Sequence, residues 1–393
     1  GIAHVRQVGN KLPRKRPIVK GVPVRIGPPT ARVHLINVHG TVQRVPCGSA
    51  LLPCVIRPVV AILQRVHLAA VRGACFRMEG VRVCFEYQLV RRCSDAVFVD
   101  IKGFPDDAYI PDGRNVGRIE YIHGGVCRNV AEDIANVELR PTFISIVDNS
   151  ALGADVLKKL NNHRVDTRYI QKIPGGMGTW LAVFDSHGDL AGSISQRADM
   201  MPIMKVLEEH GDEIFSQADS IVMQTDMHKD LMKKVFALAS KYEKKIFGVV
   251  SNMSIAVERR DLLQKVDCFV CNHLEAGMLF ADDYSKKEPE ELCEILAQRV
   301  TLGKIPSMIV TMGGKGSVYA DMSGTKGICP ARQVMVKDTT GAGDAFFAGV
   351  TIGLTYGKTL EESAQIGTKL AASVITSSEN VCPRFLPREL GLD

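Results

Sequence analysis

From about residue 201 onward, short apolar segments alternate with longer amphipathic segments. Short apolar runs are typical of buried strands, and apolar residues spaced three or four apart are typical of helices. The predicted strands are 220–224, 246–250, 268–271 and 308–311, and the predicted helices are 229–244, 256–265, 289–300 and 360–376. This alternation favours a mostly parallel sheet with helices on both faces. We therefore predict an α/β fold built on a doubly wound sheet.

The region before this alternation predicts the start of the same sheet and a small separate β element. A further strand is predicted at 143–147 and a further helix at 154–161. Residues 97–101 predict the end of the first strand of the sheet, which residues 102–105 would break. Alternating segments at about 106–122 and 176–197 predict a small β lid outside the main layer.

Polar residues follow the predicted strands at their carboxyl ends. They are Asp226, Asn252, Asn272, Glu275, Thr311, Gly313 and Asp338. Ligands of parallel α/β sheets bind at the carboxyl ends of the strands. The sequence therefore predicts that these residues belong to one site.

Residues 337–349, which read KDTTGAGDAFFAG, predict the most specific part of this site. The apolar run 333–336 predicts a strand that leads through small residues into a helix. The first amides of such a helix lack intrahelical partners, and together with the helix dipole they bind anions. Asp344 lies where a hydroxyl group would attack a bound phosphoryl group, and it could accept the proton. The alternative is a glycine turn in which Asp344 only caps the helix.

The DTTGAGD run closely resembles the signature of the ribokinase, or PfkB-type, carbohydrate kinase family. The resemblance extends over about residues 96–393 and implies a kinase of ribokinase-like fold that uses ATP. It implies that Asp344 is the catalytic base. It also implies that Gly341, Ala342 and Gly343 form the anion hole.

A second stretch, 123–132, combines two glycines with an asparagine at the start of a predicted helix. Glycines let the backbone approach a ligand closely, and Asn129 can both donate to and accept from a sugar diol, although a structural turn explains the glycines equally simply. The family's first signature has the same spacing, which implies a substrate-binding role. In the family an Asn precedes the substrate-binding Asp by two residues; here Asp100 matches the Asp, whereas Phe98 replaces the Asn. The substrate-binding residues predicted in this way are Asp100, Gly124, Gly125, Asn129, Asp226 and Asp344.

The pair Asn272 and Glu275 places two oxygen-bearing side chains on one face of a starting helix. Magnesium prefers oxygen ligands and retained waters. A helix cap at Asn272 with a solvated Glu275 is the alternative. The family's N-x-x-E motif matches this pair, which implies that both residues position Mg²⁺ through water.

The resemblance also implies a nucleotide site and a monovalent-cation site. The nucleotide-binding residues are predicted to be Asn272, Thr311, Gly313, Gly316 and Thr368. Asp338 and Thr340 match the positions beside a site for a monovalent cation, which implies K⁺. The expected cofactors are therefore ATP, Mg²⁺ and K⁺.

Residues 1–93 differ in composition from the rest of the chain. They contain sixteen Lys and Arg but only two acidic residues, Glu79 and Glu86, whereas the formal charge of the whole chain is +6. Three interpretations remain open: a basic arm that binds nucleic acid, a disordered extension, or a stretch that is not a natural reading frame. Nucleic acid is an expected partner only if this region is a genuine domain. Residues 94–393 are predicted to form the kinase domain.

Composition limits the cellular setting and the class of partner. No apolar run is long enough to span a bilayer, so no membrane association is expected. Eleven unevenly spaced cysteines favour reduced thiols and a cytoplasmic location over a disulfide framework. Cys268 and Cys271 lie three apart in a predicted strand, so they face opposite sides and are interpreted as buried thiols rather than metal ligands. In the family the lid often pairs with a second subunit, so a homodimer is expected.

Within the family, the runs VDIKGFP, GRNVGRIEYIHGG and RNVAE resemble those of pseudouridine kinases most. This resemblance implies transfer of the γ-phosphoryl group of ATP to the 5′-hydroxyl of pseudouridine. Another sugar or nucleoside kinase of the family, such as a ribokinase, is the first alternative. The second is a sugar-sensing regulator with weak catalysis. An intact DTTGAGD run argues against the regulator, because a sensor does not need the base.

Overall fold

The computed structural model describes residues 97–392 in full and, before them, the backbone of five strands. These strands are β1 Arg32–Ile36, β2 Val42–Val45, β3 Cys75–Met78, β4 Val81–Glu86 and β5 Val90–Ser94. The chain divides into two units, Gly1–Tyr87 and Gln88–Asp393. Within the first unit, β1 to β4 form an antiparallel sheet in the order β2-β1-β4-β3. The three interpretations of residues 1–93 concern side chains and segments that lie outside the described residues, so they stay hypotheses.

The second unit is built on a nine-stranded sheet with a smaller sheet beside it. After β5 the strands are β6 Phe98–Pro105, β7 Gly117–Gly124, β8 Arg140–Val147, β9 Ile170–Lys172, β10 Gly178–Phe184, β11 Leu190–Gln196, β12 Ser220–Gln224, β13 Lys245–Val249, β14 Cys268–Asn272, β15 Ser307–Thr311, β16 Ser317–Asp321 and β17 Lys326–Cys329. The large sheet has the order β17-β16-β15-β14-β13-β12-β5-β8-β9. All its neighbouring strands are parallel from β15 to β9, whereas β16 and β17 are antiparallel. The predicted doubly wound, mostly parallel fold is confirmed.

Helices cover both faces of the large sheet. They are α1 Val126–Asn136, α2 Ala151–Asn162, α3 Ile203–Glu209, α4 Gly211–Ser216, α5 Lys229–Lys241, α6 Met253–Val257, α7 His273–Phe280, α8 Pro289–Gly303, α9 Ala342–Thr355 and α10 Leu360–Ile375. Helices α3, α4, α5 and α8 contribute to one apolar core, and α1, α2, α9 and α10 contribute to the other. Among the described residues, no helix is both long and apolar enough to cross a membrane.

Successive residues of the central strands face opposite cores, which explains why these strands are apolar throughout. In β12, Ile221 and Met223 belong to the core under α5, whereas Val222 belongs to the core under α9. Cys268 and Cys271 of β14 are likewise buried in different cores. Burial raises the pKa of the Cys268 thiol to about 12. Both thiols are therefore buried on opposite faces of the sheet.

The predicted strand at 333–336 is wrong. These residues form an irregular segment, and the side chains of Val334, Met335 and Val336 are 38%, 85% and 56% exposed. The run is apolar without being buried in the sheet, because β17 ends at Cys329 and the following residues leave the sheet. The helix predicted at 256–265 is also only partly correct, since α6 ends at Val257 and a separate 3-10 turn covers Arg260–Lys265.

The segments predicted to form a lid lie in the smaller sheet, which has the order β11-β10-β6-β7 and is named the lid sheet, or lid, from here on. Strands β10 and β11 form the predicted hairpin. The other lid segment begins earlier than predicted, because residues 98–105 are already strand β6. Of the stretch 106–122, only its end, from Gly117 onward, lies in strand β7. Residues before Gly117 form a loop in which the Asn115 side chain accepts a hydrogen bond from the Ile110 amide at 2.8 Å.

The assignment of residues 97–101 to the main sheet was therefore incorrect. Strand β6 pairs with β7 and β10 of the lid, whereas β5 lies between β12 and β8 in the main sheet. Residues 102–105 do not break β6, because paired strands on both sides supply its backbone hydrogen bonds. As a result, Asp100 belongs to the lid.

Candidate active site

Helix α9 begins at a backbone conformation that only glycine adopts easily. Gly341 has φ of 80° and ψ of −8°, and a Cβ atom there would lie 2.0 Å from the Asn380 carbonyl oxygen. The Ala342 amide donates to the Thr339 carbonyl at 3.2 Å. The next amides, of Gly343 and Asp344, lie in the first turn of the helix, where the chain has no preceding helical carbonyl for them. The start of α9 can therefore bind an anion.

Asp344 has the environment of a base that titrates near neutral pH. Its Oδ2 accepts a hydrogen bond from Nδ2 of Asn129 at 2.6 Å. Burial raises the pKa of the Asp344 carboxyl to about 7, and the Glu275 carboxylate adds to this effect, whereas the Asn129 hydrogen bond and the Arg128 charge oppose it. A carboxylate with a pKa near the working pH suits general-base catalysis.

Asn129 is fixed by the start of helix α1. The N-cap of α1 is Gly125, with φ of 101°, and the Asn129 amide donates to the Gly125 carbonyl at 2.9 Å. The Asn129 Oδ1 accepts from the Arg128 guanidinium and, at 3.3 Å, from Nδ2 of Asn380. The two stretches singled out in the sequence, 123–132 and 337–349, therefore meet side chain to side chain.

The lid and the ends of the central strands enclose a cleft of about 430 Å³. Asp100 and Gly125 line it together with Phe98 and Trp180. A Cβ atom at Gly124 would lie 2.9 Å from Oδ2 of Asp100, so the glycine makes room for this carboxylate. Burial raises the pKa of Asp100, and the charges of Lys102 and Arg128 oppose that rise.

Asp226 lies beneath this cleft rather than on its wall. Its Oδ2 accepts from Nη2 of Arg197 at 2.7 Å and from the Ser251 hydroxyl at 2.9 Å. Arg197 and Ser251 line the cleft themselves. Asp226 was predicted to bind the substrate. It does not line the cleft itself, but it hydrogen-bonds Arg197 and Ser251, which do.

Asn272 and Glu275 form a capping box at the start of α7. The Glu275 amide donates to Oδ1 of Asn272 at 2.9 Å, and the Asn272 amide donates to Oε2 of Glu275 at 2.8 Å. Burial raises the pKa of Glu275, and the nearby Asp226 carboxylate raises it further. The pair therefore caps the helix and also places negative charge near Asp344.

Four of the five predicted nucleotide-binding residues line a second cleft, of about 340 Å³, whereas Asn272 is not among its lining residues. Thr311, Gly313, Gly316 and Thr368 are on its walls. So are residues of the exposed run 333–336, together with Phe346 and Ala371. Thr339, Ala342 and Gly343 also line this cleft, so it extends to the start of α9. The cleft thus reaches the helix start that carries Asp344.

Asp338 and Thr340 lie on a third cleft beside the start of α9, which they share with Lys102 and Asn380. The Thr340 amide donates to Oδ1 of Asp338 at 2.8 Å. This hydrogen bond is the main reason that the pKa of Asp338 is lowered. Asp338 is therefore available as an anionic oxygen ligand.

Comparison with known proteins identifies the family. The sequence profile of the pfkB family carbohydrate kinases matches residues 93–382. The chain belongs to the PfkB family of carbohydrate kinases. The predicted family resemblance is thereby confirmed, and the protein is a phosphotransferase with an alcohol group as acceptor.

Curated relatives place this PfkB kinase among sugar and nucleoside kinases that use ATP. The chain is 35% identical over 286 residues to the guanosine-inosine kinase of Exiguobacterium acetylicum, covering 72% of this chain and 93% of the relative. It is 26% identical over 272 residues to the pseudouridine kinase of Escherichia coli, covering 68% and 84%.

Solved structures agree on the fold of the PfkB kinase. Arabidopsis thaliana ribokinase complexed with ribose and ATP superposes with a TM-score of 0.68 at 19% identity, covering 77% of this chain and 99% of that one. The adenosine kinase of Sinorhizobium meliloti superposes with a TM-score of 0.61 at 20% identity, covering 75% and 96%.

Sequence reasoning missed four side chains at the site of this PfkB kinase. They are Arg128, Trp180, Arg197 and Asn380. Trp180 is the single tryptophan of the chain, and its place in the predicted lid hairpin was a usable signal. Arg128 and Glu132 are four residues apart in helix α1, a spacing that places an ion pair on one helix face, which was a second signal. No sequence pattern marked Asn380, because only the tertiary fold brings it to Asn129.

Proposed function

We propose that this kinase transfers the γ-phosphoryl group of ATP to the 5′-hydroxyl of a nucleoside. The observation that carries the proposal is the substrate cleft, which Phe98 and Trp180 line together with Asp100. A carboxylate suits the ribose hydroxyls, and aromatic rings give a flat base a surface on which to stack.

The mechanism follows from positioning and charge. The 5′-hydroxyl attacks the γ-phosphorus in line, the bond to the ADP oxygen breaks, and the hydroxyl proton passes to Asp344. The amides at Gly341, Ala342 and Gly343 stabilise the charge on the phosphoryl oxygens. Asp100 and Asn129, with the backbone at Gly124 and Gly125, hold the ribose.

The capping-box residues fit a water-mediated Mg²⁺ site. Glu275 uses Oε2 for the cap, which leaves Oε1 for a metal-bound water. The raised pKa of Glu275 reflects burial beside Asp226, and a cation would relieve this negative charge. When bound with the nucleotide, Mg²⁺ neutralises charge on its phosphates. Thr311, Gly313, Gly316 and Thr368 would bind the rest of the nucleotide, while Asp338 and Thr340 would hold K⁺.

Sequence identity to the relatives ranks the candidate acceptors. The guanosine-inosine kinase is more similar to this chain than the pseudouridine kinase, so guanosine and inosine are our first candidates. Pseudouridine, which the sequence resemblance predicts, is the second candidate. A pseudouridine base and a purine base both fit a cleft lined by aromatic rings, so the rings do not separate them.

A turnover screen tests the proposal. The purified full chain is given ATP with guanosine, inosine, pseudouridine, uridine, ribose or fructose, and kcat/KM is measured for each. We expect a nucleoside to rank first, and 5′-deoxyinosine, which lacks the acceptor hydroxyl, to give no product. A higher kcat/KM for ribose or fructose than for every nucleoside would make the chain a sugar kinase instead. Tight binding of an acceptor without turnover would favour the sugar-sensing regulator.

The kinase activity is assigned to residues 94–393. Every proposed site residue lies in that range, from Phe98 to Asn380, and the family profile matches 93–382. Residues 1–93 are proposed to contribute nothing to phosphoryl transfer. Deletion of residues 1–85, which retains strand β5, should leave kcat/KM unchanged; a folded but inactive product would contradict this assignment. A cytoplasmic location is also proposed, supported by the reduced, buried thiols of Cys268 and Cys271 in strand β14.

A homodimer through the lid is proposed as well. Ile101, Tyr121, Leu181 and Ile194 form one cross-strand row on the lid sheet. Neighbouring residues of a strand face opposite sides, so this row faces away from the substrate cleft that Asp100 and Trp180 line. Tyr121 and Ile194 are 59% and 70% exposed. An apolar row of this kind is typical of a surface that a second subunit covers.

A further inference from the structure

A fully buried arginine lies directly beneath the proposed substrate and phosphoryl sites. Arg128 of helix α1 has no exposed surface. Its Nε donates to the Gly124 carbonyl at 3.0 Å, and its Nη1 donates to Oε1 of Glu132 at 2.6 Å. Its Nη2 donates to the His123 carbonyl and to Oδ1 of Asn129. All three nitrogens of the guanidinium are thus used within the fold.

These hydrogen bonds determine which way the Asn129 amide faces. Two donors, Arg128 and Asn380, point at Oδ1 of Asn129, so this atom must be the carbonyl oxygen. The NH₂ group of Asn129 then faces Oδ2 of Asp344 at 2.6 Å. Without the guanidinium, the amide could rotate and present its oxygen to the Asp344 carboxylate.

Stability alone does not explain this arginine. Burying an ion pair costs desolvation free energy that its attraction often fails to recover. The partner Glu132 is also fully buried, and its second oxygen is 3.8 Å from Nζ of Lys159. An apolar pair of similar volume would fill the same space, but it would supply neither the positive charge nor the donors toward Asn129.

We propose that Arg128 is a positioning residue for phosphoryl transfer, which orients the Asn129 amide toward Asp344 and supplies the buried positive charge near the Asp344 carboxylate. This inference rests on the proposed role of Asp344 as the base. It concerns a buried residue that supports the site, so it does not depend on which nucleoside or sugar is the acceptor.

The charges around Asp344 support this role. Arg128 is the positive group that acts on Asp344, and Glu275 of helix α7 acts on it with the opposite sign. Burial raises the pKa of Asp133 of helix α1 well above its ordinary value, and the charges of Asp344 and Glu132 raise it further. Removing Arg128 would therefore leave Asp344 facing Glu275 without a counter-charge, and its pKa would rise.

The test compares three variants of the full chain. Arg128→Met alone would leave Glu132 buried and unpaired, so the informative variant is Arg128→Met with Glu132→Gln. Glu132→Gln alone is the reference, because Gln keeps the acceptor for Arg128. Arg128→Lys keeps the charge and loses the branched set of donors. Near-native circular dichroism and a cooperative thermal transition establish that each variant is folded.

The first readout is the pH dependence of kcat/KM with whichever acceptor the unmodified chain phosphorylates. In the double variant we expect the acidic limb to move to higher pH than in Glu132→Gln, and kcat to fall by about 10²-fold, as misorientation of a catalytic group typically costs. In Arg128→Lys the acidic limb of the kcat/KM profile should stay at the same pH, whereas kcat should fall. The KM for ATP should be the same in all variants. A folded double variant with an unmoved limb would overturn the proposal.

The second readout needs no turnover, so it separates this inference from the proposed function. The chain is labelled with ¹³C at the Asp carboxyl carbons, and the Asp344 signal is assigned from its loss in Asp344→Asn. We expect the Asp344 carboxyl to titrate at higher pH in the double variant than in Glu132→Gln. An identical titration in the two proteins would overturn the role of Arg128, even if the chain proved to be an active kinase.

Discussion

Asn129 donates a hydrogen bond of 2.6 Å to Asp344 across 215 residues of chain. The bond joins the start of helix α1 to the start of helix α9. It uses Oδ2 of Asp344, so the other carboxylate oxygen is available to a substrate hydroxyl. The side chain proposed to bind ribose therefore also determines the orientation of the proposed base.

Replacing Asp344 with Asn should abolish most turnover and preserve nucleotide binding. Asn is of equal size and can still accept from Asn129, but it cannot take the hydroxyl proton. General-base assistance is typically worth about 10²–10⁴-fold, so kcat should fall by that order. ATP binding, measured by calorimetry, should persist, because the nucleotide cleft is lined by Thr311, Gly313 and neighbouring residues.

Two results would contradict this assignment. Near-normal turnover of Asp344→Asn would mean that the carboxylate is not the base. Loss of both folding and ATP binding would mean that Asp344 only caps α9. Asp189→Asn, in the exposed turn of the lid hairpin, is the matched control and should change neither quantity.

The pH–rate profile should reflect the raised pKa of Asp344. The base must be ionised to act, so kcat/KM should rise about tenfold per pH unit below the pKa and level off above about pH 7. Asn129→Leu removes the hydrogen bond that opposes the rise, so its acidic limb should move to higher pH. A profile that stays flat between pH 5 and pH 8 would contradict the assignment of Asp344.

Asp344→Asn should also stabilise the unliganded protein at high pH. The folded carboxyl has a pKa of about 7 against an ordinary value of 3.8, so the folded state binds this proton more tightly than the unfolded state does. Stability is therefore lost as pH rises from about 4 to about 7, and the loss is complete above that range. Asn does not ionise and avoids a penalty of up to about 4 kcal/mol, since one pKa unit is worth about 1.4 kcal/mol.

Thermal unfolding checks this expectation. The Tm difference between Asp344→Asn and the unmodified chain should be large at pH 8 and small at pH 4.5, with Asp189→Asn as the control. An equal Tm difference at both pH values would show that the effect comes from packing rather than from ionisation.

Turnover should require a monovalent cation. The lowered pKa of Asp338 keeps its carboxylate ionised beside Thr340 and the start of α9. A cation there adds positive potential close to the helix terminus that receives phosphoryl charge. Rates should be higher in potassium than in tetramethylammonium at equal ionic strength, and Asp338→Asn should remove most of that difference. Equal rates of the unmodified chain in the two salts would eliminate the site.

The exposed row on the lid should control the oligomeric state. Ile194→Lys introduces a charge into the proposed dimer surface at a residue that is 70% exposed, so the fold should tolerate it. Light scattering after size exclusion should give a dimer for the unmodified chain and a monomer for this variant. Leu302→Lys changes an apolar residue on helix α8 that is 79% exposed, and this variant should remain a dimer. A monomeric unmodified chain would contradict the proposal.

The strands that the sequence predicted best are those buried on both faces. Strand β12 begins and ends as predicted, because a continuous apolar run between polar ends has few other positions in an α/β fold. Residues 333–336 form a similar apolar run, but Gln333, Val334 and Val336 line a cleft and do not enter the sheet. Local hydrophobicity does not distinguish a buried strand from an apolar cleft wall. The lid strand β6 was assigned to the wrong sheet for the same reason.

A site residue could be predicted from the sequence where its backbone conformation admits only one residue type. Gly341 is such a case, since its positive φ and the contact with Asn380 admit no side chain. The capping box of Asn272 and Glu275 was less accessible, because the sequence suggested the cap and the metal role as alternatives, whereas the geometry of the cap leaves one Glu275 oxygen free. Arg128 was not predicted at all, since its spacing to Glu132 indicates only an ion pair, whereas its other acceptors are two backbone carbonyls and an amide whose orientation only the fold determines.

The position of Asp100 on lid strand β6 has a consequence for the choice between an alcohol and water as the nucleophile. Asp344 belongs to a helix packed on the large sheet, whereas Asp100 belongs to the lid, so a ribose that contacts both ties the lid to the body of the enzyme. A water molecule offers no sugar hydroxyls to Asp100. Under the proposed function, recognition of the sugar and exclusion of solvent are therefore one event, and ATP is protected from futile hydrolysis until an acceptor has bound.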